Sequence, residues 1–453
     1  MIRRVTLTNF KRFGESVQIA LPGHVVLAGP NNTGKTTLLQ AIAAWDLALH
    51  RWREGATGAR PGGAYPFVAI ARPDFVAVPV RSLDLLWNER RTDPEMSVEV
   101  SLGDGRSLKM EFRFDEEQIR VRPAASTLDE VVMGIRLGSI YVPPMTGLAP
   151  EEPLYTREEF IEARLAEGRP GEVLRNLLVR AGRSEEAWRD LEASIRRMFG
   201  YELLPPNELG RFITAEYRET ARGSRFDIAS AGSGFQQVLM LLTFLVTRPG
   251  SVLLLDEPDA HLHVILQDVI YSELRSVAAR QGSQLILATH SEVIINSVDA
   301  GELLAMYGRP RPVADSEERQ RLVKELRILS NTDIMLAEST PGILYVEGYT
   351  DIEILRAWAE RLGHPARELL TTRLFWHKYS EQAGEGTRGF SSRDHFNALK
   401  LVCATMKGLE IQDRDGNPNL KETEVNGDGL QIVRWRRFEI ESYLVHPTAL
   451  ERF

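Results

Sequence analysis

The residues Gly29-Pro30-Asn31-Asn32-Thr33-Gly34-Lys35-Thr36 carry the spacing G-x-x-x-x-G-K-[ST]. Glycines at these two places let backbone N–H groups turn toward phosphate oxygens, while the lysine and the hydroxyl reach the outer phosphates and a magnesium ion. Gly29, Asn31, Asn32, Thr33, Gly34, Lys35, Thr36 and Thr37 are therefore the expected phosphate-binding residues, with Thr36 also a magnesium ligand. The flanks support this. His24-Val25-Val26-Leu27-Ala28 reads as a short buried strand, and Leu38, Leu39, Ile42, Trp45 and Leu49 recur at helical spacing. Strand, glycine loop and helix start together aim a positive helix end at an anion.

A second set of polar tips follows. Ser251-Val252-Leu253-Leu254-Leu255-Asp256-Glu257-Pro258 is an apolar strand that ends in two acids. Asp256 is expected to hold the water shell of magnesium, and Glu257 to orient or activate an attacking water. One helix later, Gln284-Leu285-Ile286-Leu287-Ala288-Thr289-His290-Ser291 is another buried strand, delivering His290 as a candidate sensor of the terminal phosphate. His261 and His263 lie on the turn after Glu257 and are not expected to bind metal. Upstream, Gly232, Ser233 and Gly234 open a strongly apolar helix, and such small-residue helix starts receive anions.

A third set is acidic. Val346-Glu347-Gly348-Tyr349-Thr350-Asp351 begins a new strand–helix unit, Asp413-Arg414-Asp415-Gly416 follows a later apolar run, and Glu439-Ile440-Glu441 comes beyond. Carboxylates at the C-terminal ends of successive parallel strands converge on one sheet edge. Hard oxygen ligands gathered there suit Mg²⁺ or Mn²⁺. Two such ions about 4 Å apart stabilise the attacking and leaving oxygens of a phosphodiester.

These tips need elements to hold them. Val5, Leu7 and Phe10, then Val17, Ile19 and Leu21, predict two strands joined by a turn at Arg12-Phe13-Gly14. Gly55 to Gly63 reads as a loop, and Asp104-Gly105 as the turn of a hairpin between two alternating runs. Ile140-Tyr141-Val142 ends at Pro143-Pro144. Residues 151 to 200 turn Glu- and Arg-rich, with Trp188, Leu191, Ile195 and Met198 at helix spacing, which predicts a helical arm. A polar, charged connector is expected over roughly 308 to 326. The class is α/β.

At 453 residues the chain has room for roughly three domain-sized units. No apolar run approaches the roughly 20 residues of a membrane helix. The N-terminus lacks the apolar core of a secretion signal, and Cys403, the single cysteine, forms no internal disulfide, so a bacterial or archaeal cytoplasm is expected. The net charge of −8 argues against a general DNA-coating protein. It leaves room for a local basic patch, for which Arg51, Arg53 and Arg60, or Arg434, Arg436 and Arg437 around Trp435, are the candidates.

The order of phosphate loop, helical arm, small-residue signature, Asp-Glu-Pro strand and terminal histidine resembles the ATP-binding-cassette ATPases. The opening Leu7-Thr8-Asn9-Phe10-Lys11-Arg12-Phe13 is similar to the branch holding structural-maintenance, RecF-like and OLD (overcoming lysogenization defect) proteins. That resemblance implies ATP and Mg²⁺ as ligands and a head-to-head homodimer, or a higher even-numbered oligomer, in which Gly232, Ser233 and Gly234 of one protomer cap ATP held by the other. Gly232 stands where many relatives carry the signature serine, so Ser233 would supply the hydroxyl. The glutamine of the usual Q-loop has no evident counterpart, and Pro143-Pro144 occupies its region.

The later pattern, Glu347 on a first strand, Asp413 and Asp415 on a later one, and Glu439 with Glu441 beyond, resembles the Toprim domain of topoisomerases, primases and OLD nucleases. By that resemblance Glu347, Asp351, Asp413, Asp415, Glu439 and Glu441 are metal ligands, with Glu347 and Asp413 also catalytic. The implied organisation is an ATPase domain over 1–305 with an arm at about 151–222, a linker at 306–340 and a Toprim domain over 341–453. The OLD arrangement implies an ATP-regulated, metal-dependent DNA endonuclease in defence against phage, with a defence-system partner protein or an RNA–DNA element as a further partner. The alternatives are a sensor or scaffold ATPase like the PARIS defence ATPases, or a RecF-like repair ATPase.

Overall fold

The computed structural model describes residues 1–56, 65–78, 80–124, 129–144, 147–166, 169–219, 222–260, 262–307, 309–372, 374–379, 390–414, 421–425, 427 and 429–444. His261, Arg60, Asp415 and most of the Gly55–Gly63 stretch lie outside the described residues. The chain divides into two compact units. The first comprises Met1–Ala28, Gly34–Met306 and Pro310–Arg319; the second comprises Gly29–Thr33, Tyr307–Arg309 and Gln320–Phe453.

In the first unit β1 (Ile2–Thr8) and β2 (Val17–Ala20) pair antiparallel, and β3 (Val25–Ala28) leads through the glycine loop into α1 (Lys35–Gly55). The expected turn between the first two strands closes on mutual backbone hydrogen bonds of 2.9 Å between Phe10 and Phe13. Next come β4 (Val68–Ala71), β5 (Met96–Leu102), β6 (Ser107–Asp115) and β7 (Gln118–Pro123), and the sheet order is β2-β1-β5-β6-β7-β4. Strict alternation sends Leu108, Met110 and Phe112 inward on β6, and Ile119 and Val121 on β7. Against that face packs α1, whose Trp45 is fully buried and donates its indole N–H to the Leu108 carbonyl at 2.8 Å. A short α2 (Asp129–Gly134) precedes β8 (Ser139–Val142).

The arm contains α3 (Glu158–Ala166), α4 (Leu174–Gly182) and α5 (Glu185–Phe199). Ser184 caps α5 by accepting from the Ala187 N–H, Gly200 ends it in the left-handed region, and Leu191 and Ile195 form its buried stripe. From Glu202 the segment is sheet rather than helix: β9 (Glu202–Leu203), β10 (Glu216–Arg218) and β11 (Phe226–Asp227) pair antiparallel. Aromatic packing holds these minimal strands. Tyr217 lies 5.0 Å from Tyr201 and 5.1 Å from Phe235 between ring centroids.

Alternation of strand and helix then resumes with α6 (Ser233–Thr247), β12 (Val252–Asp256), α7 (Val264–Arg280), β13 (Gln284–Thr289) and α8 (Glu292–Ser297). It closes with β14 (Leu303–Ala305) and β15 (Arg311–Pro312). The sheet order is β15-β14-β3-β13-β12-β8, parallel except at β15. Every residue of β3, β12 and β13 is buried, as a parallel sheet covered on both faces requires.

The charged connector holds β15 and most of α9 (Ser316–Ile328), and α10 (Asn331–Ser339) follows it. Its charge hid an apolar stripe of Leu322, Val323 and Ile328. The rest of the second unit contains β16 (Gly342–Val346), α11 (Tyr349–Arg361), α12 (Arg367–Thr372), β17 (Trp376–Lys378) and α13 (Ser392–Val402). Beyond them lie β18 (Lys407–Gln412), β19 (Thr423–Val425) and β20 (Leu430–Arg434). Strand order is β17-β16-β18-β20-β19, parallel except at β19. On β16, Ile343 and Tyr345 enter one core with Phe375 and Phe396, while Leu344 and Val346 enter another with Ile352. A Cβ on Gly408 would lie 2.5 Å from Phe396 and 2.6 Å from Leu430, so only glycine fits there. No described helix is long and apolar enough to cross a membrane.

Candidate nucleotide and metal sites

Parallel register brings the first set of polar tips to one sheet edge. Thr289 pairs with Ala28 and Asp256 with Ala288, so the glycine loop, Asp256-Glu257 and His290 all follow the C-terminal ends of adjacent strands. Within the loop Thr33 Oγ1 donates to the Pro30 carbonyl at 2.8 Å, and Asn32 takes φ +63°. Gly34 caps α1 at φ +101°, where a Cβ would meet the Phe13 ring at 2.9 Å. Asn31 and Thr37 are half-buried and Gly29 is buried.

The side chains then converge. Thr36 Oγ1 donates to Asp256 Oδ1 at 2.9 Å, and the Lys35 ammonium lies 3.7 Å from Glu257 Oε1. The other Glu257 oxygen meets His290 Nδ1. Burial lowers the pKa of Lys35 and raises that of Asp256, in each case partly offset by the groups beside it. Donating its ring N–H to the Glu257 carboxylate raises the pKa of His290. Glu257 itself sits at φ +49°, a left-handed conformation rare for a glutamate, held by its N–H donating to the Ala288 carbonyl at 2.9 Å. Gly232, Ser233 and Gly234 form the N-terminal cap and first turn of α6, with Gly232 and Ser233 exposed.

Two residues here were not legible from spacing. Tyr141 donates from its hydroxyl to Asp256 Oδ2 at 3.0 Å, and Asp259 accepts from Thr289 Oγ1 at 2.7 Å. The one available signal was position: Tyr141 sits near the end of a strand that stops at Pro143-Pro144, the region where the Q-loop glutamine was sought. The donor set of Thr36 and Asp256, with Lys35 for phosphate charge, fits Mg²⁺ and a nucleotide triphosphate.

In the second unit Asp413, Glu439 and Glu441 offer carboxylate oxygens that lie within 4.8 Å of one another. Asp413 follows β18, and the two glutamates come after β20, adjacent to it in the sheet. Glu347 follows β16, and its Oε1 accepts from the Asp413 N–H at 3.4 Å. Asp351 is occupied differently: its Oδ2 accepts from the N–H groups of Glu347 at 2.9 Å and Gly348 at 3.2 Å, capping α11. Burial and the negative charges of Glu347, Asp351 and Glu441 push Asp413 up to about 7, opposed by the Ile440 N–H. An all-oxygen set of this kind suits Mg²⁺ or Mn²⁺.

Of the basic candidates, Arg434 is a buried strand residue, bonded to Gln412 at 2.7 Å and paired with Glu424 at 3.3 Å. Reading it as surface charge is corrected accordingly. Arg53 likewise donates to the Val132 and Ile135 carbonyls, while Arg51 pairs with Glu54 at 3.2 Å. Arg436 and Arg437 are exposed beside Trp435 and Tyr443. The structure also gathers Asp333, His377 and His395, a cluster that spacing did not suggest.

Residues 152–296 of this mixed α/β chain match the family model described as "AAA domain, putative AbiEii toxin, Type IV TA system". That match includes Asp256, Glu257 and His290. A 42-residue stretch is 50% identical to the DNA replication and repair protein RecF of Brucella abortus (strain 2308), covering 9% of this chain and 11% of the relative. The same figures hold for RecF of Brucella suis biovar 1 (strain 1330). The chain thus spans about 11% of the length of the curated relatives it matches. Among solved structures, the SMC head domain from Thermotoga maritima is similar at TM-score 0.38 and 15% identity, covering 69% of this chain and 99% of that one. The Smc head domain with an extended coiled coil from Pyrococcus furiosus, bound to the C-terminal domain of ScpA, is similar at TM-score 0.41 and 15% identity, covering 72% and 99%.

Proposed function

We propose that this chain is an ATP-regulated, divalent-metal-dependent DNA endonuclease of the OLD type, acting in the cytoplasm in defence against phage. In this reading an ATPase domain over 1–305 is joined through 306–340 to a Toprim domain over 341–453. The observation that carries it is the gathering of Asp413, Glu439 and Glu441 within 4.8 Å, with Glu347 alongside, on a chain that also carries a nucleotide loop. ATP with Mg²⁺ is held by Gly29 to Thr37 and Asp256, and Glu257 and His290 act on the terminal phosphate. The exposed Gly232-Ser233 start of α6 caps the ATP of a second protomer, so nucleotide state sets the dimer. Mg²⁺ or Mn²⁺ at the acidic cluster serves phosphodiester cleavage, with Glu347 and Asp413 as the groups nearest the chemistry.

Plasmid nicking by the purified protein with Mg²⁺ or Mn²⁺, with and without ATP, tests the reading. Nicking by the wild type and at least a tenfold loss in Asp413→Ala are expected. Intact plasmid under every condition, with ATP still hydrolysed, would favour the second reading. That reading is a repair ATPase, supported by the 42-residue match to RecF.

A further inference from the structure

Asp333 lies in the first turn of α10, His377 at the centre of β17 and His395 near the start of α13. Asp333 Oδ1 is 2.6 Å from His377 Nε2, and Oδ2 is 3.5 Å from His395 Nε2. The imidazole centroids are 4.5 Å apart at 60°, and one donor atom from each of the three residues falls within 4.8 Å of the others. Asp333 is 3% and His395 1% exposed, so the cluster is a built interior feature.

A buried carboxylate flanked by two imidazoles is satisfied by N–H donors on the rings or by a cation between them. The gathering admits the cation. Donors on a tetrahedral zinc, each about 2.0–2.1 Å from the metal, lie about 3.3 Å from one another. The 3.5 Å between Asp333 and His395 is close to that, while the 2.6 Å contact of Asp333 with His377 is a hydrogen bond that a bound ion would replace. The surroundings also fit. Tyr345 Oη is 2.9 Å from His395 Nδ1, a hydrogen bond that leaves Nε2 turned toward Asp333. Asp333 is fixed in turn by Ser330, whose N–H donates to Oδ2 at 2.7 Å.

We propose that Asp333, His377 and His395 form a site for a divalent transition-metal ion of the zinc class, tying α10, β17 and α13 together. Its nitrogen-rich set selects against Mg²⁺, which the all-oxygen cluster at Asp413 accepts instead. Three protein ligands leave a fourth position for water.

The full chain, stripped with a chelator, is titrated with Zn²⁺ in millimolar Mg²⁺. One Zn²⁺ per chain is expected, with at least 100-fold weaker binding in His377→Gln and unchanged binding in Asp413→Asn. Zinc should raise the melting temperature of the wild type but not of folded His377→Gln. X-ray absorption of the zinc-loaded wild type needs no variant, and two histidine nitrogens are expected. An all-oxygen shell, equal zinc binding in His377→Gln, or no saturable zinc binding by the folded wild type would overturn the proposal.

Discussion

Thr36 Oγ1 donates to Asp256 Oδ1 at 2.9 Å, joining the first helix to a strand end 220 residues later. This bond sets two oxygens side by side before any ion arrives, and Tyr141 holds the second Asp256 oxygen. Thr36→Ala removes one oxygen and leaves a buried acid short of a donor. ATP turnover is expected to fall about 10- to 100-fold, the range of a hydrogen bond to a charged group. Thr36→Ser should restore most of it. Turnover against Mg²⁺ concentration checks this, and an equal loss in the serine variant would refute it.

Glu257 stands between Lys35 and His290 in a strained backbone conformation. Glu257→Gln keeps the size but not the base. Turnover should drop by roughly two orders of magnitude, while ATP binding and nucleotide-bound dimers persist. Single-turnover hydrolysis beside sedimentation with ATP reads both. An unchanged hydrolysis rate removes Glu257 from its role.

Tyr141 stays protonated because burial and the Asp256 charge raise its pKa. It is therefore a fixed donor to that carboxylate. Tyr141→Phe is expected to raise the Mg²⁺ concentration for half-maximal turnover about threefold to tenfold, with a smaller change at saturating Mg²⁺. A fall in turnover alone, with Mg²⁺ dependence intact, would contradict a positioning role.

Much of this edge was legible in the chain because its parts are contiguous. Loop, Asp256-Glu257 and His290 each end a local apolar run that announces its own strand. Tyr141 and Asp259 were hidden because their partners sit on other strands. Asp333, His377 and His395 were hidden for the same reason, since they meet across a sheet and two helices. Glu202 to Asp227 contains strands too short to show a period, and aromatic stacking rather than alternation holds them. Arg434 was misread because charge suggests surface, whereas its guanidinium donates to Gln412 and pairs with Glu424.

Asp46 on α1 accepts from the Ser139 N–H at 2.7 Å and its hydroxyl at 2.8 Å, and burial pushes the carboxyl up to about 6. Unfolded, the group titrates near 3.9. As pH rises from about 4 to about 6 the unfolded chain releases this proton while the folded one keeps it, so stability falls across that window and levels off above it. The full effect is at most about 3 kcal/mol. Asp46→Asn abolishes it while keeping an acceptor for Ser139. Chemical denaturation from pH 4 to 7.5 should show the variant gaining on the wild type as pH rises. A difference constant with pH would count against the assignment.

The strand that feeds the glycine loop has neighbours made only much later. Residues Val25–Ala28 pair with Gln284–Thr289 on one side and Leu303–Ala305 on the other. During synthesis the loop's supporting strand therefore waits for nearly 280 further residues to leave the ribosome before its edges are filled. Gln284 adds a latch, bonding the backbone of Ile2 at 2.7 and 2.9 Å. Such long-range closure is slow to form. A nascent chain released before residue 284 carries the whole phosphate-loop motif yet has no sheet on which to set it.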